Sequence, residues 1–287
     1  MRPRIGSVLS TFIVLTASAI GGVAFLYPFF RPPVQQTVSF NAHGEDALYL
    51  FLLITLSGLG AVLADLTWGR MSSQRTAVLG VLAALGAALR LIPGPGGFSA
   101  LFFLPILAGY VYGPGFGFLL GTFTLIASAL VTGGIGPWLP YQMLAAAWVG
   151  ALAGVWGYVV RGLQGVRYPP SRWEVVGLAV WGGVLGLFYG AVMNLWFWPY
   201  VFQPQHAHMY WQPGLSWKET LLRYGVFYLT TSLWWDMGRA AGNFLLILTV
   251  GRPVLRALYR FHARSVLDVW SAEDSLVAES QERPVEL

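Results

Sequence analysis

The sequence alternates long apolar segments with short polar connections, and this pattern limits the fold more than any other feature. Eight segments approach the roughly 20 residues that a helix needs to cross the hydrocarbon of a bilayer. They cover 8–30, 47–64, 76–92, 98–112, 116–131, 138–160, 173–200 and 222–250. Only 10% of the 287 residues are charged, against about a quarter in soluble domains. The pattern predicts an all-α, polytopic transmembrane helical bundle of about eight spans.

The distribution of Lys and Arg predicts the orientation, because these residues favour the cytoplasmic ends of short loops. With the N-terminus inside, the external connections hold only Arg31, Lys218 and Arg223. The cytoplasmic segments hold Arg2, Arg4, Arg70, Arg75, Arg161, Arg167, Arg172, Arg252, Arg256, Arg260 and Arg264. We therefore expect an even number of spans and two cytoplasmic termini.

A basic segment follows the last span. Arg252, Arg256, Arg260 and Arg264 recur every four residues with apolar residues between them, which predicts an amphipathic helix. Such a helix suits either a membrane-surface anchor or a docking surface for a cytoplasmic partner. The predicted organisation is two N-terminal spans in 1–75, a six-helix membrane core in 76–251, and the basic helix with a polar tail in 252–287.

Most enzyme and metal motifs are missing from the sequence. The single lysine, Lys218, excludes a phosphate-binding loop of the Gly-x4-Gly-Lys type, and the lack of cysteine excludes thiol chemistry and thiolate-bound metals. His43, His206 and His208 fall in predicted external loops, and the His-x-His pair has no acidic neighbour, so solvated histidines are the favoured interpretation. We expect no metal, no cofactor and, since the basic residues are scattered, no nucleic-acid partner.

Polar residues inside the apolar spans are the best candidates for function, since a charge in hydrocarbon is costly unless it is paired or hydrated. Asp236 and Arg239 are three residues apart on one helix, a spacing that suits an ion pair as well as a binding site. Arg90 can reach the external interface or face inward toward a ligand or Asp236.

Several further residues lie near the predicted outer ends of the spans. An interfacial aromatic belt accounts for many of the tryptophans, but it has no need of carboxamides such as Gln142 and Asn194. An outward-facing pocket uses these groups to orient a polar ligand between aromatic walls. The predicted substrate-binding residues are Arg90, Tyr141, Gln142, Asn194, Trp196, Trp198 and Asp236.

Small residues in the third span form two competing registers. Gly80, Ala84 and Ala88 share one four-residue register, and Ala83 and Ala87 share the adjoining one. Small residues at this spacing let another helix approach closely. Packing within the bundle and coupling to a separate membrane subunit both fit the pattern.

The chain from Thr76 to Val250 resembles the substrate-binding S component of energy-coupling factor (ECF) vitamin transporters, in a long form with two extra N-terminal spans. The segments that carry the resemblance are 85–90, 102–110, 113–118, 133–142 and 193–199. It implies a bacterial plasma-membrane protein that captures a vitamin at the outer face for ATP-driven uptake. It also implies a transmembrane T component and two cytoplasmic ATPases as partners, and an Ala-x-x-x-Ala coupling motif at Ala83 and Ala87 or at Ala84 and Ala88.

The resemblance leaves the ligand open. The large, aromatic-rich external half suggests cobalamin or another corrinoid, with riboflavin or another flat vitamin as an alternative. An integral membrane enzyme acting on a lipid or isoprenoid, and an accessory protein that only assembles other subunits, are the competing functions.

Overall fold

The computed structural model describes residues 5–32, 42–68, 71–165 and 168–282, and gives the helical ends 5–7 and 264–282 by their backbone alone. These residues form a helical bundle without β-strands, which confirms the all-α prediction. The α-helices are α1 (Ile5–Phe30), α2 (Ala47–Thr67), α3 (Ser73–Arg90), α4 (Phe103–Tyr112), α5 (Pro114–Thr132), α6 (Leu139–Gln164), α7 (Arg172–Phe197), α8 (Trp217–Phe227) and α9 (Leu233–Glu282). A π-helical segment, Tyr228–Ser232, joins α8 to α9.

Six helices of the described chain are long and apolar enough to span a membrane. They are Val8–Phe30, Ala47–Thr67, Pro114–Thr132, Leu139–Gln164, Arg172–Tyr200 and Trp217–Ala263. The other two predicted spans correspond to α3, which carries Arg75 and Arg90 at its ends, and to the shorter apolar helix Ala100–Tyr112. Both pack within the bundle, α3 against α5 and α4 against α5, α6 and α9.

Glycines set the closest helix contacts. A Cβ added at Gly109 or Gly117 would meet the backbone of Gly150, so α4, α5 and α6 approach one another backbone to backbone. Gly182, Gly186 and Gly190 form a similar ridge on α7 that faces α9. Close approach of this kind drives helix association in a bilayer, where apolar burial by itself gives little advantage over lipid.

The N-terminal pair α1 and α2 packs on one side of the bundle, against α5 and α6. The side chain of Leu144 on α6 fills the space that Gly21 leaves on α1, and the ring of Phe25 lies 4.8 Å from that of Tyr141. The outward face of α3 is not covered by this pair: Val81 and Leu85 are exposed there.

The basic segment after residue 251 differs from the predicted separate interfacial helix, because α9 continues through it without a break. Leu255 and Leu258, two of the apolar residues between these arginines, are buried against the bundle, and Tyr112 Oη donates a hydrogen bond to the Leu258 carbonyl. Arg2, Arg4, Arg70 and Arg167 lie outside the described residues, as does the side chain of Arg264. We call the end of the bundle that holds Arg75, Arg161 and Arg252 the arginine-rich end.

Candidate functional site

The predicted site residues on α7 lie on different faces of that helix. Asn194 and Trp196 are two residues apart, and a helix turns about 100° per residue, so the two side chains leave α7 roughly 200° apart. Asn194 contacts Ser232, just before α9, whereas Trp196 contacts His43 and Trp138 on the side of α1, α2 and α6. The seven predicted residues therefore do not line one shared pocket.

The first group is a polar cluster between α7 and α9. Asp236 is buried and forms an ion pair with Arg239. The Arg239 guanidinium also donates a hydrogen bond to the Gly186 carbonyl and lies 5.1 Å from the ring centre of Tyr189. The carboxylate of Asp236 lies against Gly190, where any side chain would collide with it. The intrahelical ion pair considered from the sequence is thus present, and a glycine on α7 makes room for it.

Asn194 extends this cluster toward the π-helical segment. Its Oδ1 accepts a hydrogen bond from Ser232 Oγ at 3.0 Å. Among the described residues, Asn194 Nδ2 and Asp236 Oδ2 are buried and make no hydrogen bond of normal geometry, although the Tyr224 hydroxyl lies close to the Asn194 carboxamide and the Tyr228 hydroxyl lies close to the Asp236 carboxylate. Buried polar groups are nearly always hydrogen-bonded, so these two atoms mark a place where a polar ligand or water would be satisfied.

A glycine-rich loop packs on α9 at the end of the bundle opposite the arginines. Gly96 and Gly97 have left-handed backbone angles, with φ of 62° and 72°, and this turn brings the chain against α9. A Cβ at Gly96 would lie 3.1 Å from Gly238 Cα, and Phe98 packs over Gly242. Loop 91–102, which we call the lid, therefore packs on a face of α9 beside the one that carries Asp236, and the ring of Phe102 at its end lies 4.6 Å from that of Tyr189 in the cluster.

Arg90 lies just before this loop, at the end of α3. Its Nη1 donates a hydrogen bond to Ser128 Oγ on α5 at 3.2 Å. The side chain is half-buried and its charge acts on the buried Tyr189 hydroxyl. Arg90 therefore faces the bundle at the edge of the cluster, where its hydrogen-bond partner is Ser128 on α5 and not the Asp236 that the inward alternative named.

The second group surrounds His43, just before α2. Tyr141 Oη donates to Asp46 Oδ2 at 2.7 Å and lies 2.6 Å from His43 Nδ1, and Asp46 Oδ2 lies 2.9 Å from the same nitrogen. Tyr200 Oη is 3.4 Å from His43 Nδ1 and 3.0 Å from Tyr27 Oη. We call these five residues the His43 cluster; it fastens the N-terminal pair to α6 and α7.

The electrostatics of the His43 cluster favour an ionised Asp46. Burial acts to raise the pKa of Asp46, but the hydrogen bond and charge of His43 and the hydrogen bond from Tyr141 outweigh it, so the pKa lies below its ordinary value. His43 is 2% exposed, so it is a buried polar anchor and not the solvated loop histidine that the sequence suggested.

The remaining predicted residues have separate surroundings. Trp196 stacks near His43 with 6.5 Å between ring centres, and Gln142 is half-buried next to Tyr141 on α6. Trp198 is 1% exposed and donates from Nε1 to the Met209 carbonyl at 3.0 Å. Trp198 packs with Tyr210, Trp211 and Phe227 in a small cap over 198–227, so it stabilises the cap where a pocket wall was predicted.

The two small-residue registers of α3 have opposite exposures. Ala83 and Ala87 are 6% and 2% exposed and face the bundle. Ala84 and Ala88 are exposed, and the position of a Cβ at Gly80 is open. The outward small-residue face of α3 is therefore Gly80, Ala84 and Ala88.

The His-x-His pair is exposed on the cap. The ring centres of His206 and His208 are 6.4 Å apart, and within the described ranges no third histidine or carboxylate joins them as a metal ligand. Arg223 holds this part of the cap through the carbonyls of Ala207 and Tyr210.

Sequence reasoning missed Ser232 and the lid. Ser232 ends the hydroxyl run Thr230-Thr231-Ser232 inside an otherwise apolar span, and this run was an available signal. Insertion of a π-helical turn, a feature frequent at functional sites, brings Ser232 to Asn194, and no local pattern specifies such a turn.

A helical membrane bundle with a buried polar cluster beside a glycine-rich loop, and with small residues exposed on one helix, has the features of a solute-capturing transport subunit. The family model described as "ECF transporter, substrate-specific component" matches residues 74–251, more than half of the chain. The chain belongs to this family, whose members are transporter subunits that associate with a T component and ATPases in a membrane. Searches of curated proteins and of solved structures return no match.

Proposed function

We propose that the protein captures a vitamin at the end of the bundle opposite the arginines, for ATP-driven uptake, with cobalamin or another corrinoid as the ligand. Family membership supports the substrate-capturing role. The observation that supports the position is that Asn194 Nδ2 on α7 and Asp236 Oδ2 on α9, which lie on facing helices of the cluster, are buried without a hydrogen-bond partner among the described residues. Within a closed cluster of this kind, a polar ligand gains hydrogen bonds that the free protein lacks.

The lid has to move for a solute to reach this cluster. Loop 91–102 packs directly on α9, with Gly97 against Trp235 and Phe98 against Gly242. Entry of a vitamin requires this loop to leave α9, and its return would exclude water from the bound ligand. The two glycines with positive φ are suited to such a hinge, because glycine adopts these angles at little cost.

Calorimetric titration of the purified protein with cobalamin, and with riboflavin as the comparison ligand, tests the site. Asn194→Ala should weaken binding by about tenfold to a hundredfold, the effect of about 1–3 kcal/mol for a lost buried hydrogen bond, with little change in Tm. Asn243→Ala is the comparison variant, because Asn243 lies about two helical turns along α9 from Asp236 and its Nδ2, unlike that of Asn194, is already bonded to the Gly182 carbonyl, although its Oδ1 has no partner among the described residues. It should lower Tm and leave affinity unchanged.

Two results would contradict this assignment. Equal affinities of wild type and Asn194→Ala would remove the α7–α9 cluster as the binding site. Binding of riboflavin without binding of cobalamin would keep the capture role and reject the corrinoid.

We propose that the T component docks on the outward face of α3. The exposed register Gly80, Ala84 and Ala88 supports this choice over Ala83 and Ala87, which are buried in the bundle. The N-terminal pair packs on α5 and α6, so it leaves this face open. Close helix contact needs small side chains on an accessible surface.

The proposed location is a bacterial plasma membrane with both termini in the cytoplasm. The excess of arginine at one end of the bundle supports this orientation. Reporter fusions after Arg75 and Arg256 should report the cytoplasm, and fusions near Gly44 and Gln205 the exterior. A reproducible inversion at any of these positions would refute the topology.

A further inference from the structure

A cavity of about 680 Å³ lies between the N-terminal pair and the core. Its volume falls within the range of small-molecule sites, about 300–1,000 Å³. Most of the wall is apolar and comes from α1, α5 and α6, including Val14, Phe118, Leu119, Trp148 and Leu152. Neither the vitamin site nor the α3 surface uses these residues.

The cavity is closed toward the His43 cluster and open toward the side of the bundle. Above it, Leu144 fills the space beside Gly21, and the ring of Phe25 lies 5.8 Å from that of Trp148. Among the lining residues, Leu15 and Val155 are 62% and 47% exposed. Both residues sit within spans, on α1 and α6, so this exposed part of the wall faces the hydrocarbon, and we infer that lipid chains reach the cavity there.

The charged lining residues and the two lining tyrosines lie at the arginine-rich end. Asp65, Arg75, Tyr112 and Tyr158 line this part of the cavity, and Arg161 lies over the Tyr158 ring at 5.3 Å. The described residues at this end of the bundle carry Arg75, Arg161, Arg252, Arg256 and Arg260 against Asp65 and Glu174, so the end has a positive balance. Basic groups at the level of the membrane surface attract anionic lipid headgroups.

We propose that this cavity binds an anionic phospholipid, with one acyl chain between α1 and α6 and the phosphate near Arg75. The apolar part of the cavity suits an acyl chain, and the basic part near Arg75 suits an anionic headgroup. The exposed wall between α1 and α6 gives a lipid direct entry from the bilayer. A bound lipid would fill the gap between the N-terminal pair and the core. The inference does not depend on the identity of the transported vitamin.

Native mass spectrometry of the full chain tests the proposal. The protein is reconstituted in nanodiscs of mixed phosphatidylglycerol and phosphatidylcholine, released, and stripped by graded activation. The wild type should retain a single phosphatidylglycerol beyond the point at which other lipids leave. The proposal would be overturned if the protein released from the nanodiscs carried no lipid, or if it retained phosphatidylglycerol and phosphatidylcholine equally. Displacement of the retained lipid by cobalamin would also overturn it, because the cavity would then hold the solute.

Two variants and a matched control locate the bound lipid. Ala151→Phe projects a ring into the cavity and should abolish retention, while Ala19→Phe places the same ring on an exposed position of α1 outside the lining and should leave it intact. Arg75→Gln should reduce the preference for phosphatidylglycerol roughly tenfold, as the loss of a charge-assisted hydrogen bond predicts. Equal effects of the two phenylalanines, or an unchanged preference in Arg75→Gln, would overturn the assigned position. If Ala151→Phe fails to fold, retention by the wild type and Arg75→Gln still decides the outcome.

Discussion

Removal of the Asp236 charge tests the ion pair at the centre of the α7–α9 cluster. The side chains of Asp236 and Arg239 are 4% and 18% exposed, so Asp236→Asn leaves a guanidinium in the bundle without its counter-ion. Breaking a buried ion pair from one side costs about 3–5 kcal/mol. Arg239 keeps its bond to the Gly186 carbonyl and its contact with the Tyr189 ring, so we expect a loss near the lower limit, about 3 kcal/mol.

A double-mutant cycle measures the energy of this pair. The free energy of unfolding is obtained by SDS titration in mixed micelles for Asp236→Asn, for Arg239→Gln and for the double variant. The double variant should lose clearly less than the sum of the single variants, because it leaves no unpaired charge. The pair Glu219 and Arg223, at 2.7 Å and 45% and 19% exposed, is the control, and its coupling should stay below about 1 kcal/mol. Additive effects at Asp236 and Arg239 would refute the reasoning.

Three further predictions concern coupling, the cap and pH. Ala84→Trp should abolish uptake and preserve both ligand binding and Tm. Ala87→Trp should lower Tm, since the larger side chain overfills a buried position. Equal Tm values for the two variants would contradict the assigned registers. Trp198→Ala should destabilise the protein by about 3–5 kcal/mol in the same SDS titration, and an unchanged stability would contradict its place in the core of the cap. The pKa of Asp46 in the folded protein lies below its ordinary value of 3.8. The ionised Asp46 therefore contributes its full stabilisation above pH 3.8, and this contribution is lost as the pH falls through the folded pKa. Melting curves of Asp46→Asn, recorded against pH, should lack this part of the acid dependence.

The fold class could be predicted from the sequence because a bilayer imposes a length and a composition on each span. The segments 8–30, 138–160 and 173–200 correspond closely to α1, α6 and α7. The shorter segments were harder to define, since α4 packs among α5, α6 and α9 and is shielded from lipid by them. The continuation of α9 past residue 251 was missed because its apolar residues suited a membrane surface equally well.

The candidate site was only partly predictable. Rare polar residues in apolar spans pointed to Asp236, Arg239 and Asn194, because each is costly there without a partner. The pattern gave no distance between helices, so Tyr141 was grouped with them although it belongs to the His43 cluster. His43 itself looked like an ordinary loop residue, since its burial depends on contacts with residues about 100 or more positions away.

The sequence by itself determined that this chain is a helical membrane bundle, which residues are small or charged within it, and through its motifs the family to which it belongs. Only the tertiary structure decided which face each residue occupies: that Ala84 is exposed while Ala87 is buried, that Asn194 and Trp196 leave α7 in opposite directions, and that a cavity separates α1 from α6 near Arg75. The physical reason is that hydropathy records the cost of placing a residue in the bilayer. Its partners are set by helix rotation and by close packing at glycines.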